Sequence, residues 1–303
     1  MKIGITGGTG LVGKRLVTLF IQSGYEVFVF TRNPKLQSKE HRLHYTYWDP
    51  TEKVIDIDVL SSLHAIVHIA GANVAEKRWT PARKQEILES RTLSTSFLVE
   101  QINKYASVCT CFVSASAIGI YGPDAQPATP FKEHAKAHND FLGTTCMQWE
   151  ASSASLNPNI RRVILRMGIV LAKEGGALAQ FIKPVSFFVK PLLGGGKQII
   201  SWITLEDIAN LFLFAITQNH VQGVYNAVAP NPVSQQALMN AIASRKNKFA
   251  LPIYVPSFLL KIILGEMSIE VLKSSTVSSE QIQQAGFPFQ STDIHQALQR
   301  LMI

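Results

Sequence analysis

Cysteine is scarce in this chain: Cys109, Cys111 and Cys146 are the only three in 303 residues. That is too few for a disulfide framework. Cys109 and Cys111 sit as alternating positions of one apolar segment, the pattern of buried structural thiols on a strand. Long apolar runs are missing too. The most apolar tracts, Phe181 to Leu193 and Ile253 to Leu264, are interrupted by proline or lysine and are too short for a bilayer. The chain starts without a charged n-region and cleavage site. A cytoplasmic protein without a membrane partner is the expectation. The net charge is +8, yet no basic run is interleaved with aromatics. A nucleic-acid partner is therefore not expected. The excess charge fits a solvated surface or the attraction of anionic small molecules to a cleft. His134 and His138 are four apart with Asp140 after them, but a third ligand in a firm motif is lacking and no metal is expected. No internal repeat or low-complexity linker is apparent.

What is present is apolar content, 47% of the chain, ample for a sizeable core. The most informative stretch is Thr6-Gly7-Gly8-Thr9-Gly10-Leu11-Val12-Gly13. It follows a short apolar run, Ile3 to Ile5, and precedes a helical apolar pattern through Leu16, Val17 and Phe20. Glycines at Gly7, Gly10 and Gly13 have the spacing of a dinucleotide-binding turn. There a strand turns sharply into a helix and a pyrophosphate approaches bare main chain. The helix N-terminus supplies N–H donors and partial positive charge. Tyr25 to Thr31 reads as the next strand and completes a mononucleotide-sized unit.

Strands continue at Leu43 to Trp48, Ala65 to Ala70, Val108 to Ser114 and Arg162 to Leu171. Thr80 caps and Pro81 opens a long helix running to about Tyr105. Another helix covers Phe141 to Ser153. His68, inside the fourth strand, reads as a satisfied core histidine. These alternating units predict an α/β fold: a Rossmann-like, doubly wound parallel sheet with a smaller, partly discontinuous C-terminal substrate lobe. The expected division is 1–171 for the nucleotide domain, with 202–229 returning to it, and 172–201 plus 230–303 for the lobe. In that lobe Phe181 to Leu193 lines either a substrate pocket or an interface.

The end of the second strand selects the nucleotide. An acidic residue there would bind the ribose 2′-hydroxyl of NAD, whereas this chain has Thr31-Arg32-Asn33. Arginine takes a 2′-phosphate bidentately and Thr31 adds a hydroxyl, so NADP(H) is the expected cofactor.

Several further segments carry a family likeness. They include His68-Ile69-Ala70-Gly71, Ser114-Ala115-Ser116 with Tyr121-Gly122, Arg78-Trp79-Thr80 with Glu89-Ser90-Arg91, and Trp149-Glu150. Arg166 to Leu171 with Gly175-Gly176, Ser201-Trp202-Ile203 with Asp207, Gly223 to Asn226 and the tail from Val255 to Phe287 complete the set. Together with the glycine turn they resemble an extended short-chain dehydrogenase/reductase. The closer likeness is to its atypical "epimerase family" branch, which has its own small C-terminal domain. The resemblance implies cofactor contacts at Gly7, Thr9, Gly10, Leu11, Val12 and Gly13, at Thr31 and Arg32, and at Ile69, Ala70, Gly71 and Ala72. It further implies Glu86 and Arg91, which orient the cofactor or each other, and Val170 beside the nicotinamide.

The active branches of that superfamily use a Tyr-x-x-x-Lys pair in which lysine lowers the tyrosine pKa. No such pair occurs in this sequence. The register fixed by Trp149-Glu150 puts Phe141 or Leu142 at the tyrosine position and Cys146 at the lysine position. Ser116 and Tyr121 are the candidate substitutes, with a cation such as Lys132 or the cofactor's own charge to activate Tyr121. The expected function is an NADP(H)-dependent oxidoreductase or epimerase on a small molecule, a nucleotide sugar among the candidates, with a homodimer left open. The alternative is an NADP(H)-binding sensor or scaffold with reduced catalysis.

Overall fold

The computed structural model describes residues 1–33, 35–125 and 129–301. The first half runs β1 (Lys2–Thr6), α1 (Leu11–Gln22), β2 (Glu26–Thr31), β3 (Leu43–Asp49), β4 (Val54–Ile55), α2 (Ile57–Ser61), β5 (Ala65–His68), α3 (Pro81–Tyr105) and β6 (Cys111–Ala117). It continues with α4 (Phe141–Ala151), β7 (Arg161–Met167), β8 (Ile169–Leu171), α5 (Gly176–Ser186), β9 (Val189–Leu193), β10 (Ile199–Ile200), β11 (Trp202–Thr204) and α6 (Leu205–Thr217). The remainder is β12 (Gly223–Ala227), β13 (Val233–Ser234), α7 (Gln235–Arg245), β14 (Leu251–Val255), α8 (Ser257–Leu264), α9 (Ser268–Leu272), α10 (Glu280–Gln284) and α11 (Ile294–Leu301).

The main sheet has eight strands in the order β12-β7-β6-β5-β1-β2-β3-β4. All neighbours are parallel except the edge pair β3–β4. The chain winds outward from β1 through β2 and β3, then crosses to the other side of β1 and winds outward again. The reversal lies between β1 and β5, where Thr6 is opposite His68. Ligands of open parallel sheets bind at such a crevice, beyond the carboxyl ends of the strands.

Both sheet faces are covered, which is why β2 reads as an unbroken apolar run. Val27 and Val29 meet Leu16 and Phe20 of α1 and Phe212 of α6 on one face. Phe28 and Phe30 meet Leu60 of α2 and Leu98 of α3 on the other. Each such side chain contributes about 1.5–3 kcal/mol by leaving water. α3 begins as its sequence predicts: Thr80 Oγ1 accepts the Arg83 N–H and Pro81 occupies the first turn, where no intrahelical donor is needed.

Two strands differ from expectation. The segment expected from Val108 starts at Cys111, because the Cys109 N–H closes a turn on the Ala106 carbonyl at 3.1 Å. Cys109 thus lies outside the strand and does not alternate with Cys111. Both are buried free thiols, pushed by burial up to about 12 and about 11. The strand expected over Arg162 to Leu171 is split at Gly168. A Cβ there would lie 2.8 Å from the Ser201 carbonyl oxygen, so the backbones touch and β8 leaves the main sheet to pair with β11.

The second lobe grows from this split. Trp202 packs with Leu178 of α5, Leu238 and Ile242 of α7, and Leu298 of α11. Asp207 ties the tail down. It is fully buried in the first turn of α6, and its carboxylate accepts the N–H groups of Gln290 at 2.8 Å and Ser291 at 3.2 Å.

His68 is fully buried, with Nδ1 at 2.7 Å from Thr6 Oγ1 and Nε2 at 2.9 Å from Thr95 Oγ1. Burial pulls its pKa down to about 3. The folded pKa is below the unfolded value. The stability held by the neutral ring is therefore complete above about pH 6.5 and falls as pH drops toward the folded pKa. Between pH 6.5 and 4.5 the native chain should lose about 2–3 kcal/mol through this group. Urea unfolding at the two pH values should show that loss, and His68→Gln should lack this part of it. Identical pH dependence in the two proteins would contradict the burial account.

Candidate functional site

The crevice at the β1–β5 reversal is shaped by the glycine turn. Gly7 has φ +74°, and a Cβ there would lie 2.9 Å from the Ala70 backbone nitrogen. A Cβ at Gly13 would lie 2.2 Å from the Gly7 carbonyl oxygen, so α1 packs directly on the turn. Gly10 differs. It closes the turn through its N–H to the Gly7 carbonyl at 3.1 Å, and a Cβ would find only that oxygen, at 3.4 Å. The turn is exposed at Thr9 and Gly10.

Gly10 caps α1 without a side-chain acceptor. Among the described residues, no acceptor pairs with the N–H groups of Leu11, Val12 and Gly13. Three donors at a positive helix end form a ready anion site. Gly176, at the start of α5, closes its far side: a Cβ there would lie 3.2 Å from Leu11 Cδ2.

Thr31 and Arg32 stand at the carboxyl end of β2, the strand next to β1. Arg32 is exposed, and Thr31 Oγ1 accepts the Asn33 N–H at 3.1 Å. The opposite wall is Ile69 to Ala72. It is held by the Ile69 N–H on the Thr6 carbonyl at 3.3 Å and by the Ala72 N–H on Ser90 Oγ at 3.0 Å. Arg91 buttresses this wall from behind. Its Nη1 donates to the Ala72 carbonyl at 3.1 Å, and its guanidinium stacks over Trp149 at 5.1 Å. Glu86 does not meet Arg91, contrary to the mutual orientation considered from sequence. Its carboxylate takes Arg83 Nη1 at 2.7 Å and is more than half exposed. Val170 lies on β8, partly buried, opposite Ile203 of β11.

The two candidate catalytic residues lie elsewhere, inside the protein. Ser116 is fully buried and its hydroxyl donates to Glu150 Oε1 at 2.7 Å. Tyr121 is fully buried, stacks on Phe131 at 5.0 Å and donates to Asn226 Oδ1 at 2.7 Å. The cation beside it is Arg166, whose Nη1 donates to the phenol oxygen at 2.8 Å; Lys132 instead pairs with Glu280. Burial outweighs that cation and raises the Tyr121 pKa. Both hydroxyls are buried, and both belong to one network. Glu150 receives Arg166 through two bonds of 2.8 Å, and Arg166 links Glu150 to Tyr121.

Sequence reasoning assigned Arg166, Glu150 and Asn226 no role. The usable signal was an arginine inside the apolar strand Val163-Ile164-Leu165-Arg166, since a buried arginine demands an acid nearby. Of the residues that the resemblance set at the proton-transfer positions, Leu142 and Cys146 pack against Gly119, and Phe141 meets the Trp79 ring at 4.9 Å. Burial pushes the Cys146 thiol up to about 12. His134 and His138 lie in a loop rather than on a helix, and His138 Nδ1 meets Asp140 at 2.9 Å. Among the described residues no group of three or more His, Cys, Asp or Glu side chains is placed to hold a metal ion.

Residues 3–227 match the model of the NAD dependent epimerase/dehydratase family, and residues 255–301 match the domain of unknown function DUF1731. The chain belongs to this epimerase family. It is 33% identical over its whole length to the Arabidopsis thaliana "Epimerase family protein SDR39U1 homolog, chloroplastic", covering 87% of that protein. It is 32% identical to the Bacillus subtilis "Epimerase family protein YfhF", covering 98% of it. Among solved structures, human epimerase family protein SDR39U1 (isoform 2) with NADPH superposes with TM-score 0.87 at 24% identity, over 99% of both chains. A nucleoside-diphosphate sugar epimerase from Corynebacterium glutamicum superposes with TM-score 0.77 at 27% identity, over all of this chain and 58% of that one. This epimerase-family chain is thus of the short-chain dehydrogenase/reductase type, in an NAD(P)-dependent family. No described helix is long and apolar enough to cross a membrane.

The Arg166–Glu150 pair is buried, with side chains 7% and 13% exposed. Removing one partner strands the other charge. Arg166→Met should therefore cost about 3–5 kcal/mol in chemical denaturation, whereas Tyr121→Phe, which deletes one hydroxyl, should cost less. Equal costs, or a loss below about 1 kcal/mol for Arg166→Met, would contradict the network.

Proposed function

We propose that this chain binds NADP(H) and works as an oxidoreductase or epimerase of the extended short-chain type on a small molecule, with nucleotide-linked sugars the first class to test. The observation that carries the reading is the set of unpaired Leu11, Val12 and Gly13 amides beneath the exposed turn at Gly10. The pyrophosphate would sit on those amides, where helix charge and bare donors favour an anion. Arg32, with Thr31, would hold the 2′-phosphate, and no acidic side chain follows them before Lys39-Glu40 to repel it. Arg91 keeps the Ile69 to Ala72 wall in place. The nicotinamide, once bound, supplies the hydride chemistry. The sugar-nucleotide suggestion rests on analogy with the nucleoside-diphosphate sugar epimerase from C. glutamicum.

One observation favours a second reading, an NADP(H)-binding sensor or scaffold. The sequence has no Tyr-x-x-x-Lys pair, and Tyr121 is held in the buried Arg166 network. NADPH absorbance followed against a panel of carbonyl compounds and sugar nucleotides separates the two. Consumption supports the enzyme; tight binding without turnover on any member supports the sensor.

Cofactor choice is tested by Arg32→Asp. NADPH affinity should fall at least about tenfold while NADH affinity stays within about threefold, as calorimetry would read it. An unaltered NADPH to NADH preference would remove Arg32 from the site.

A further inference from the structure

The excess positive charge is not spread evenly. Residues 175–205 and 208–265 contain seven lysines and arginines and not one aspartate or glutamate. These two segments build most of the second lobe. The +8 of the whole chain is thus concentrated on the part of the molecule that carries α5, α7, β9, β14 and α8.

The same segments carry apolar side chains that no element covers. On α8, Phe258, Leu259, Ile262 and Ile263 fall on one arc, at spacings of one, four and five residues. Phe258 and Ile262 are each 65% exposed and Ile263 is 60% exposed. α8 is anchored at Leu260, which is buried, and just past its end, where Gly265 packs on the Arg78 guanidinium and Glu266 pairs with Lys84 of α3. The exposed arc therefore belongs to a fixed helix. The chain leading into it continues the surface: Phe249 is 79% and Tyr254 66% exposed. Beside them, the Leu251 N–H donates to the carbonyl of Phe188, itself exposed at the end of α5. Basic side chains border the patch. Lys248 lies over the Phe188 ring at 4.9 Å with its Nζ on the Ser186 carbonyl at 3.1 Å, Lys246 is two residues before it, and Lys261 is exposed on α8 between the apolar turns.

Isolated exposed apolar residues are ordinary, but a continuous patch rimmed by charge of one sign marks a contact surface. An aqueous protein partner would need matching acidic residues around an apolar centre. A second copy of this chain would bring lysine against lysine, which is repulsive. A lipid bilayer with anionic headgroups supplies both halves of the match. Acyl chains take up Phe258, Ile262 and Ile263, headgroup phosphates meet Lys246, Lys248 and Lys261, and Tyr254 suits the interface between them.

We infer that the α8–β14 face is a peripheral docking surface for anionic lipid bilayers, on which the protein lies without spanning. The sequence suggested no membrane partner, because Ile253 to Leu264 is interrupted by proline and lysine and too short to span. The structure leaves that segment outside the core. The inference is independent of whether the crevice binds NADP(H).

Co-sedimentation of the full chain with vesicles tests it. Binding to vesicles containing phosphatidylglycerol should exceed binding to pure phosphatidylcholine by at least about tenfold at low salt. Phe258→Ser combined with Ile262→Ser should lower it by at least about tenfold, and Lys261→Gln by about fivefold. Thermal unfolding midpoints should stay near that of the unaltered chain, because the altered side chains are exposed. Phe258→Trp should show a blue-shifted emission on adding phosphatidylglycerol vesicles. Absence of co-sedimentation would overturn the proposal, as would binding indifferent to the double substitution or no emission shift. A dimer in light scattering that the double substitution splits would assign the face to a second copy and overturn it too.

Discussion

The architecture turns on a backbone contact for which side chains leave no room. Gly7, Gly13 and Ala70 bring β1, α1 and the end of β5 to within main-chain contact, at the point where the sheet reverses direction. A methyl group at Gly13 would overlap the Gly7 carbonyl. Because the turn is this tight, α1 points its uncapped amides into the crevice, and the walls at Arg32 and at Ile69 to Ala72 stand on either side. The wall supported by Arg91 and the approach of α5 at Gly176 to Leu11 take their positions around that contact.

A second constraint is electrostatic. Arg166 lies inside the strand at the edge of the second lobe, and its charge is balanced by Glu150 from α4. Such a pair adds little net stability, since desolvation offsets much of the attraction, but it specifies one arrangement of β6, α4, β7 and β12. Ser116, Tyr121 and Asn226 are recruited to satisfy it. Helix α4 gives Leu142 and Cys146 to packing against Gly119 and Glu150 to the buried pair. The chain thus keeps the glycine turn with its uncapped amides while its sequence lacks a Tyr-x-x-x-Lys pair.

Much of this was legible in the sequence. The parallel sheet, the long α3 with its Thr80 cap and Pro81 start, and the satisfied His68 follow from local rules: apolar runs, capping chemistry and the cost of burying polar groups. The glycine turn was legible because its spacing has one geometric use. Local rules failed where a contact is distant in sequence. The break at Gly168 depends on the Ser201 backbone. The burial of Tyr121 depends on Asn226 and Arg166, 105 and 45 residues further along the chain. Helical spacing of His134 and His138 was misleading because Asp140 caps the following helix and leaves both outside it. Glu86 and Arg91 share a helix, yet Arg83 captures the first and the crevice wall the second. The exposed face of α8 was not legible because composition alone does not say which apolar segment lacks a neighbour.

The central claim is that bare amides at the start of α1 receive a pyrophosphate. Amide resonances followed by NMR during NADPH addition address it most directly. The account predicts that Leu11, Val12 and Gly13 are among the most strongly shifted N–H signals, as their first acceptors arrive. Saturable NADPH binding that leaves those three signals in place, with shifts confined to another part of the molecule, would contradict it.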